Sequence, residues 1–136
     1  MRPEGFKLLA PALPKIAGLR ILDLRSNELG DAGARQLCAA LPAASALQLL
    51  DVSSNGLGAA GAGMLAAALP LAPTLHGISL ACNPLLDEGV CVLASKLIGT
   101  GNAVLQVRLS LHFLCKCATI ACIHAGALAV PESSKL

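Results

Sequence analysis

Three asparagines recur along this chain at a constant interval. Asn27, Asn55 and Asn83 are each separated by 28 residues. Each stands at the same place in a stretch of the form L-x-x-L-x-L-x-x-N-x-L, of which residues 19–29 are the first copy. A pattern that returns at a fixed period of about 20 to 50 residues indicates stacked copies of one small unit, each burying its apolar side against its neighbours. The chain is therefore expected to fold as one repeat array.

The first half of each copy has the pattern of a short strand. Apolar residues alternate there with other residues, a period of two that places them on one face of a strand. The asparagine follows where the strand ends, and its amide can both donate to and accept from backbone groups that stacking would bury. We therefore expect Asn27, Asn55 and Asn83 to form a structural ladder. The alternating positions are Leu22/Leu24, Leu50/Val52 and Ile78/Leu80.

The second half of each copy has the spacing of a helix. Leucines recur four residues apart and would share one helical face. Asp31 and Asp87 are candidate N-caps. Pro42 and Pro70 are expected to end the first two helices, and the glycines at 99 and 101 the third. The leucine pairs are Leu37/Leu41, Leu65/Leu69 and Leu93/Leu97.

These halves predict an α/β fold, a right-handed solenoid of about 3–4 repeats with parallel strands on its concave face and helices on its convex face. Repeats start at 19, 47, 75 and 104, and in the fourth His112 takes the place of the asparagine. Upstream, Leu9 and Leu13 align with Leu37 and Leu41. Residues 1–18 are therefore expected to hold the helix of a partial leading repeat, ahead of repeats over 19–114.

The step Leu-Gly-x-x-Gly at 29–33 and again at 57–61, together with the 28-residue period, makes this pattern more specific. Over residues 8–114 the chain resembles leucine-rich-repeat proteins of the ribonuclease-inhibitor-like subfamily, as in Ran GTPase-activating proteins and the C-terminal repeats of NOD-like receptors. The resemblance implies a protein-binding scaffold. It leaves two alternatives open: an activator of a small GTPase, although the long acidic C-terminal region of that family is missing here, or part of a NOD-like innate immune sensor.

Composition and charge narrow the function further. Hydrophobic residues make up 55% of the chain and aromatics 1%, so the core must be built from Leu, Ala, Val and Ile. Ten Lys plus Arg against eight Asp plus Glu leave no basic stripe for nucleic acid. The glycines follow the repeat period instead of a phosphate-binding motif, and local motifs suggest no catalytic set. We expect a non-enzymatic protein that needs no cofactor or metal and binds an unidentified protein partner.

The cysteines and the N-terminus bear on the compartment. The apolar residues 8–10 are interrupted by Pro11, Pro14 and Lys15, which argues against a secretory signal. A cytoplasmic location with reduced thiols is therefore expected. The three thiols inside the repeats are expected to be small buried packing groups. They are Cys38, Cys82 and Cys91.

The register fails after Leu114, which sets residues 115–136 apart as a divergent segment whose tail, 131–136, reads as disordered. Two interpretations stay open: the chain is a piece of a longer repeat protein, or this segment is an atypical apolar cap with a helix over about 118–130. A polar cap is expected at each end of a solenoid. Because neither end has one, we also expect self-association through the uncapped ends.

Two other readings of this segment are disfavoured. The cluster His112, Cys115, Cys117, Cys122 and His124 resembles a zinc site, but its C-x-C step is tighter than the usual spacing. The apolar run over 109–130 approaches the length of a membrane helix. It is interrupted by Lys116 and by both histidines. Membrane insertion is therefore not expected.

The register also predicts which side chains line the concave face. Asp23, Asp51, Ser79 and Arg108 form one row, flanked by the row Ile21, Leu49, Gly77 and Gln106 and by the row Arg25, Ser53, Ala81 and Ser110. Concave faces of this kind commonly hold extended partners. The candidate protein-binding residues are Asp23, Arg25, Asp51, Ser53, Ser79 and Arg108.

Overall fold

The computed structural model describes residues 3–72 and 74–99 and the strand residues 106–108 and 128–129. Short strands alternate with helices along the chain, and a 3₁₀ helix follows each of the first three α-helices (Ala10–Lys15, Leu41–Ala43 and Leu69–Leu71). The α-helices and strands are α1 (Pro3–Leu9), β1 (Ile21–Asp23), α2 (Gly30–Ala40), β2 (Leu49–Asp51), α3 (Ala59–Ala68), β3 (Gly77–Ser79), α4 (Leu86–Gly99), β4 (Gln106–Arg108) and β5 (Leu128–Ala129).

The strands form one parallel sheet in the order β1-β2-β3-β4-β5. The register follows the sequence period, since Ile21 pairs with Leu49 and Leu49 pairs with Gly77. The next step is one residue longer and pairs Gly77 with Gln106. Each helix packs against the helix of the next repeat, α1 on α2, α2 on α3 and α3 on α4. This is the strand–helix solenoid that the repeat pattern predicts.

The core lies between the sheet and the helices and contains one layer of leucines for each repeat. Leu24, Val52 and Leu80 point into it from just after their strands, and all three are buried. The helical anchors Leu37, Leu41, Leu65, Leu69 and Leu93 are also buried. A fully buried side chain of this size contributes about 1.5–3 kcal/mol to folding. Regular layers of aliphatic side chains therefore make up most of this core.

The leading helix α1 lies inside the stretch 1–18 that was expected to hold a partial repeat. Its Phe6 is completely buried and belongs to the core cluster, whereas Leu8 is exposed. In the repeat register Phe6 is equivalent to Ala34 and Ala62, which are also buried. The same repeat position is thus buried in three successive helices. It holds phenylalanine in α1 and alanine in α2 and α3.

Asp31 has a different role from the one that the sequence suggested. It is the second residue of α2, so it does not precede its own helix as an N-cap would. Instead its Oδ1 accepts hydrogen bonds from the backbone amides of Gly58 (2.8 Å) and Gly61 (2.9 Å) at the start of α3. A Cβ at Gly61 would collide with this same oxygen, which explains the glycine. The aspartate of one repeat therefore caps the helix of the next.

The other helix boundaries lie near the predicted ones. α2 ends at Ala40 and α3 at Ala68, and Pro42 and Pro70 lie within the 3₁₀ helices that follow. α4 continues to Gly99. Asp87, the other candidate N-cap, lies inside the first turn of α4, where its negative charge suits the positive end of the helix dipole.

The thiols do not match the expectation of buried packing groups. Cys38 is half-buried, whereas Cys82 and Cys91 are exposed. Cys82 occupies the turn position of Ser26 and Ser54, where the backbone φ is positive in all three repeats. It is therefore part of the turn and not of the core. Burial raises the pKa of the Cys38 thiol to about 11.

Part of the divergent segment also belongs to the sheet. β5 pairs in parallel with β4, with Val107 opposite Leu128 and Arg108 opposite Ala129. A helix over about 118–130 therefore does not extend through these two residues. The zinc-like cluster and the tail over 131–136 lie outside the described residues. In the described part of the chain, no helix is both long and apolar enough to cross a membrane.

Candidate functional site

The side chains that alternate away from the core form a continuous surface on the sheet. We call this surface the strand face and define it by Ile21, Asp23, Arg25, Leu49, Asp51, Ser53, Gly77 and Ser79. Two rows cross β1, β2 and β3 in strict register. One is Ile21–Leu49–Gly77 and the other is Asp23–Asp51–Ser79. Because a strand repeats its facing every two residues, the rows lie about 7 Å apart.

The first row is apolar and accessible. Ile21 is 64% exposed and Leu49 is 48% exposed, although they are neighbours on adjacent strands. Gly77 then contributes no side chain at the next position. A groove of about 330 Å³ runs over this part of the sheet, and Ile21, Leu49 and Gly77 line it together with the acidic row. Gly77 is itself buried, so the exposed apolar part of this row consists of Ile21 and Leu49.

The two carboxylates of the second row both lie close to the guanidinium of Arg25, which belongs to the next row. Arg25 Nη2 lies 2.7 Å from Asp23 Oδ2, and Arg25 Nε donates to both oxygens of Asp23 at 3.0 Å. The same Nε lies 3.7 Å from Asp51 Oδ2. The side-chain hydrogen bonds from Arg25 lower the pKa of Asp23, and Asp23 in turn raises the pKa of Arg25. Asp23 is therefore well compensated, while Asp51 shares the cation only at longer range.

Asp51 is held in place by its own turn. Its Oδ1 accepts a hydrogen bond from the backbone amide of Ser53 at 2.9 Å. The Ser53 and Ser79 hydroxyls are 2.8 Å apart. Ser53 itself is only 8% exposed, which places it beneath the face more than on it. Among the candidate binding residues, Ser53 thus supports the surface from below and offers a partner little area.

The row continues onto the fourth strand at Arg108, which is registered opposite Ser79. In order along the sheet, the row reads Asp23, Asp51, Ser79, Arg108. Two acidic positions are therefore separated from a basic one by a neutral serine. The structure describes Arg108 as a strand residue but not its side chain. It is therefore assigned to this row by its register alone.

The asparagines hold the loops that follow these strands. The Oδ1 of Asn55 accepts the backbone amides of Asn27 (3.0 Å) and Leu29 (3.3 Å) in the preceding repeat. Its Nδ2 donates to the carbonyls of Leu24 (2.8 Å) and Ser53 (3.0 Å). One buried amide thus satisfies four backbone groups from two repeats.

Asn83 makes the same contacts one repeat later. Its Oδ1 accepts the amides of Asn55 (2.9 Å) and Leu57 (3.1 Å), and its Nδ2 donates to the carbonyls of Val52 (3.0 Å) and Leu80 (3.1 Å). Both side chains are buried. The ladder of Asn27, Asn55 and Asn83 is therefore a scaffold that fixes the spacing of the strands.

Sequence reasoning placed the rows but did not select the apolar one as part of the site. The available signal was Gly77, a glycine at a strand position where the two preceding repeats have Ile21 and Leu49. A glycine within a strand often marks a close approach by another group. In residues 3–72 and 74–99, no group of three or more His, Cys, Asp or Glu side chains could hold a metal ion.

The comparisons with known proteins agree with this architecture. The family model described as "Leucine Rich repeat" matches residues 19–38 and 45–66. A solved structure titled "Leiomodin-1 Actin-Binding Site 2 (ABS2)" superposes with a TM-score of 0.77 over 92% of this chain and 72% of that chain, at 18% sequence identity. A comparison with the sequences of curated proteins gave no match.

Neither comparison adds support to the ribonuclease-inhibitor-like subfamily, to a small-GTPase activator or to a part of an immune sensor. What they share with the described structure is the repeat and its stacking. The repeat period, the parallel register and the structural likeness together identify the fold of this chain as a leucine-rich-repeat α/β solenoid of about three repeats.

Proposed function

We propose that this protein is a non-enzymatic scaffold that binds a protein partner through the strand face. The observation that carries the proposal is the apolar row. Ile21 and Leu49 are exposed side by side on the rigid sheet, although the fold buries the leucines of its core almost completely. Adjacent exposed apolar side chains within a groove mark interaction sites more often than isolated ones do.

The polar groups around this row also favour binding. Asp23, Arg25 and Asp51 form one connected set of charges next to the groove. Asp23 and Asp51 stand on strands that the asparagine ladder holds in register, so the spacing of these two carboxylates is set before a partner docks. The fold itself is generally used as a binding module, and one protein of similar fold is titled as an actin-binding site. Because that likeness is at 18% identity, it supports protein binding in general and not actin in particular.

A display selection tests the proposal with the full chain. A library of random peptides is selected on the purified protein, and the affinity of the enriched peptides is measured by fluorescence anisotropy. We expect Leu49→Ser to weaken binding about ten-fold or more, because loss of one well-buried apolar contact costs about 1.5–3 kcal/mol. Leu71→Ser is the matched control, since Leu71 is 62% exposed but lies in the 3₁₀ helix after α3.

Binders that lose affinity with Leu49→Ser and keep it with Leu71→Ser support the strand face as the docking surface. Binders that are insensitive to Leu49→Ser would overturn the proposal. A triple replacement by alanine at Asp23, Asp51 and Arg108 is a second check. If affinity stayed unchanged in that variant as well, the polar row would have no part in binding.

A further inference from the structure

We propose that the strand face recognises an extended peptide in which an apolar side chain is followed or preceded, two residues away, by a basic one. This inference rests on the proposed function and adds the chemistry of the partner. Three features favour such a peptide: the charges beside the groove, the spacing of Leu49 and Asp51, and the volume of the groove that these residues line with Gly77.

The charges beside the groove favour a basic partner. Asp23 and Asp51 carry two negative charges, and Arg25 carries the one positive charge that balances them in part. On these three side chains the net charge is −1. Arg25 gives its short contacts to Asp23, between 2.7 and 3.0 Å, and reaches Asp51 only at 3.7 Å. Asp51 is therefore the carboxylate whose charge is left for a partner cation.

The second carboxylate oxygen of Asp51 also has a defined position. Its Oδ1 is occupied by the backbone amide of Ser53, which fixes the carboxylate and leaves Oδ2 directed toward the Arg25 side of the face. An incoming lysine or arginine would meet a preorganised oxygen, and hydrogen bonds of this charged type are stronger than neutral ones. An anionic group placed beside Asp51 would instead be repelled by the carboxylates of Asp51 and Asp23.

The spacing of Leu49 and Asp51 matches that of alternate residues in an extended peptide. Leu49 and Asp51 are two residues apart on β2 and therefore point to the same side of the sheet, about 7 Å from each other. An extended peptide places its own residues i and i+2 on one side at the same distance. A peptide that runs along β2 therefore presents an apolar side chain to Leu49 and a cation to Asp51 at the same time.

The groove is large enough for a side chain of the peptide. The groove of about 330 Å³ is lined by Leu49, Asp51 and Gly77 on two neighbouring strands. Because Gly77 contributes no side chain to this groove, an apolar side chain of the peptide can be placed in it beside Leu49. This volume is at the low end of ligand pockets, which suits one or two side chains better than a large rigid ligand.

The test is a comparison of peptide selections on three full-length proteins. A random display library is selected on the wild type, on Asp51→Lys and on Glu88→Lys. Glu88 lies exposed in the first turn of α4, so its substitution makes the same charge change away from the strand face. We expect peptides from the wild type and from Glu88→Lys to be enriched in apolar-x-basic or basic-x-apolar triplets. Asp51→Lys should lose this enrichment.

A second measurement avoids the reversed charge. Asp51→Asn keeps an oxygen for the Ser53 amide, so the turn is preserved. An enriched peptide is expected to bind Asp51→Asn about three- to ten-fold more weakly than it binds the wild type. That difference should shrink as salt is raised from low to high concentration, because screening weakens exposed ion pairs.

The outcomes separate this inference from the proposed function. Acidic or neutral binders that still depend on Leu49 would overturn the basic partner and leave the strand-face scaffold standing. Basic binders that are equally enriched on Asp51→Lys would also overturn the inference. Absence of enriched peptides on the wild type would count against it in the same way. Peptides whose affinity is unchanged by Leu49→Ser would overturn the proposed function itself.

Discussion

The backbone amide of Asn55 donates a 2.9 Å hydrogen bond to the side chain of Asn83, the residue that occupies its own position one repeat later. Asn27 makes the equivalent bond to Asn55. Asn55 and Asn83 therefore each serve their own turn and the turn of the preceding repeat. The strands are held in register by this relationship, and the strand face inherits its order from it.

The ladder predicts a large and position-dependent loss of stability. Asn55→Ala is expected to lower the free energy of unfolding by about 3–5 kcal/mol, because buried backbone groups from two repeats lose their partners. Urea unfolding followed by circular dichroism measures this loss. Asn27→Ala should cost less, since Asn27 is only half-buried. Equal and small losses in both variants would contradict the ladder as the main restraint.

The cap between repeats makes a second prediction. Asp31→Ala should destabilise the fold by about 1–2 kcal/mol, because the amides of Gly58 and Gly61 lose their acceptor. Asp31→Asn keeps an oxygen in place and should recover most of the loss in the same unfolding experiment. Asp87→Ala, in the first turn of α4, provides a comparison with a smaller expected cost. If Asp31→Ala and Asp87→Ala lowered the free energy of unfolding equally, the contact of Asp31 with the next repeat would add nothing to stability beyond an ordinary helix-end charge.

The start of α4 contains a strained residue. Leu86 has a φ of +57° and stands at the repeat position of Gly30, whose φ is also +57°. A side chain in this region costs about 1–2 kcal/mol, and glycine avoids the cost. Leu86→Gly is therefore expected to raise the free energy of unfolding by up to about 1 kcal/mol. Leu86→Ala keeps the Cβ and should give no gain; a gain from alanine would point to the exposed side chain as the cause.

The charges on the strand face predict a titration. Because Arg25 lowers the pKa of Asp23, this carboxylate stays ionised to lower pH when folded than when unfolded. Its stabilising contribution is therefore present above the unfolded pKa and is lost as the pH falls through the folded pKa. Carboxyl NMR should find the Asp23 pKa below 3.8, the ordinary value for this group. In Arg25→Gln the pKa should return toward that value; an unchanged pKa would contradict the pairing.

The thiols predict a difference in reactivity. With the pKa of Cys38 raised to about 11 by burial, its thiolate is scarce at pH 8. The exposed Cys82 and Cys91 should therefore react with iodoacetamide well before Cys38 does, as read by peptide mass spectrometry. In urea this protection of Cys38 should disappear. Fast labelling of Cys38 in the native protein would show that the repeat does not bury it.

The parts of the fold that follow from periodicity could be predicted, and those that depend on contacts between repeats could not. Asn27, Asn55 and Asn83 share one period, so the strand register and the facing of Asp23 and Asp51 follow directly. The pairing of Asp31 with the next helix was missed, because a residue just inside α2 looks like a cap for α2 itself.

Two further differences have local causes. Cys82 stands in a turn with positive φ, where the backbone directs the side chain away from the core, and residue type alone does not show this. β5 follows β4 after 21 residues, measured from Val107 to Leu128, so it falls outside the 28-residue period that found the other strands. In the strand face, the apolar row was placed correctly but its exposure became visible only in the folded structure.

The most direct test of the strand face is an NMR titration of the full chain with a peptide enriched in the selection. The account predicts that the amide and methyl signals that shift most belong to the strand face, above all the methyl groups of Ile21 and Leu49 and the amides near Asp51. Shifts concentrated instead on the outer surfaces of α2, α3 and α4, with Ile21 and Leu49 unmoved, would contradict it.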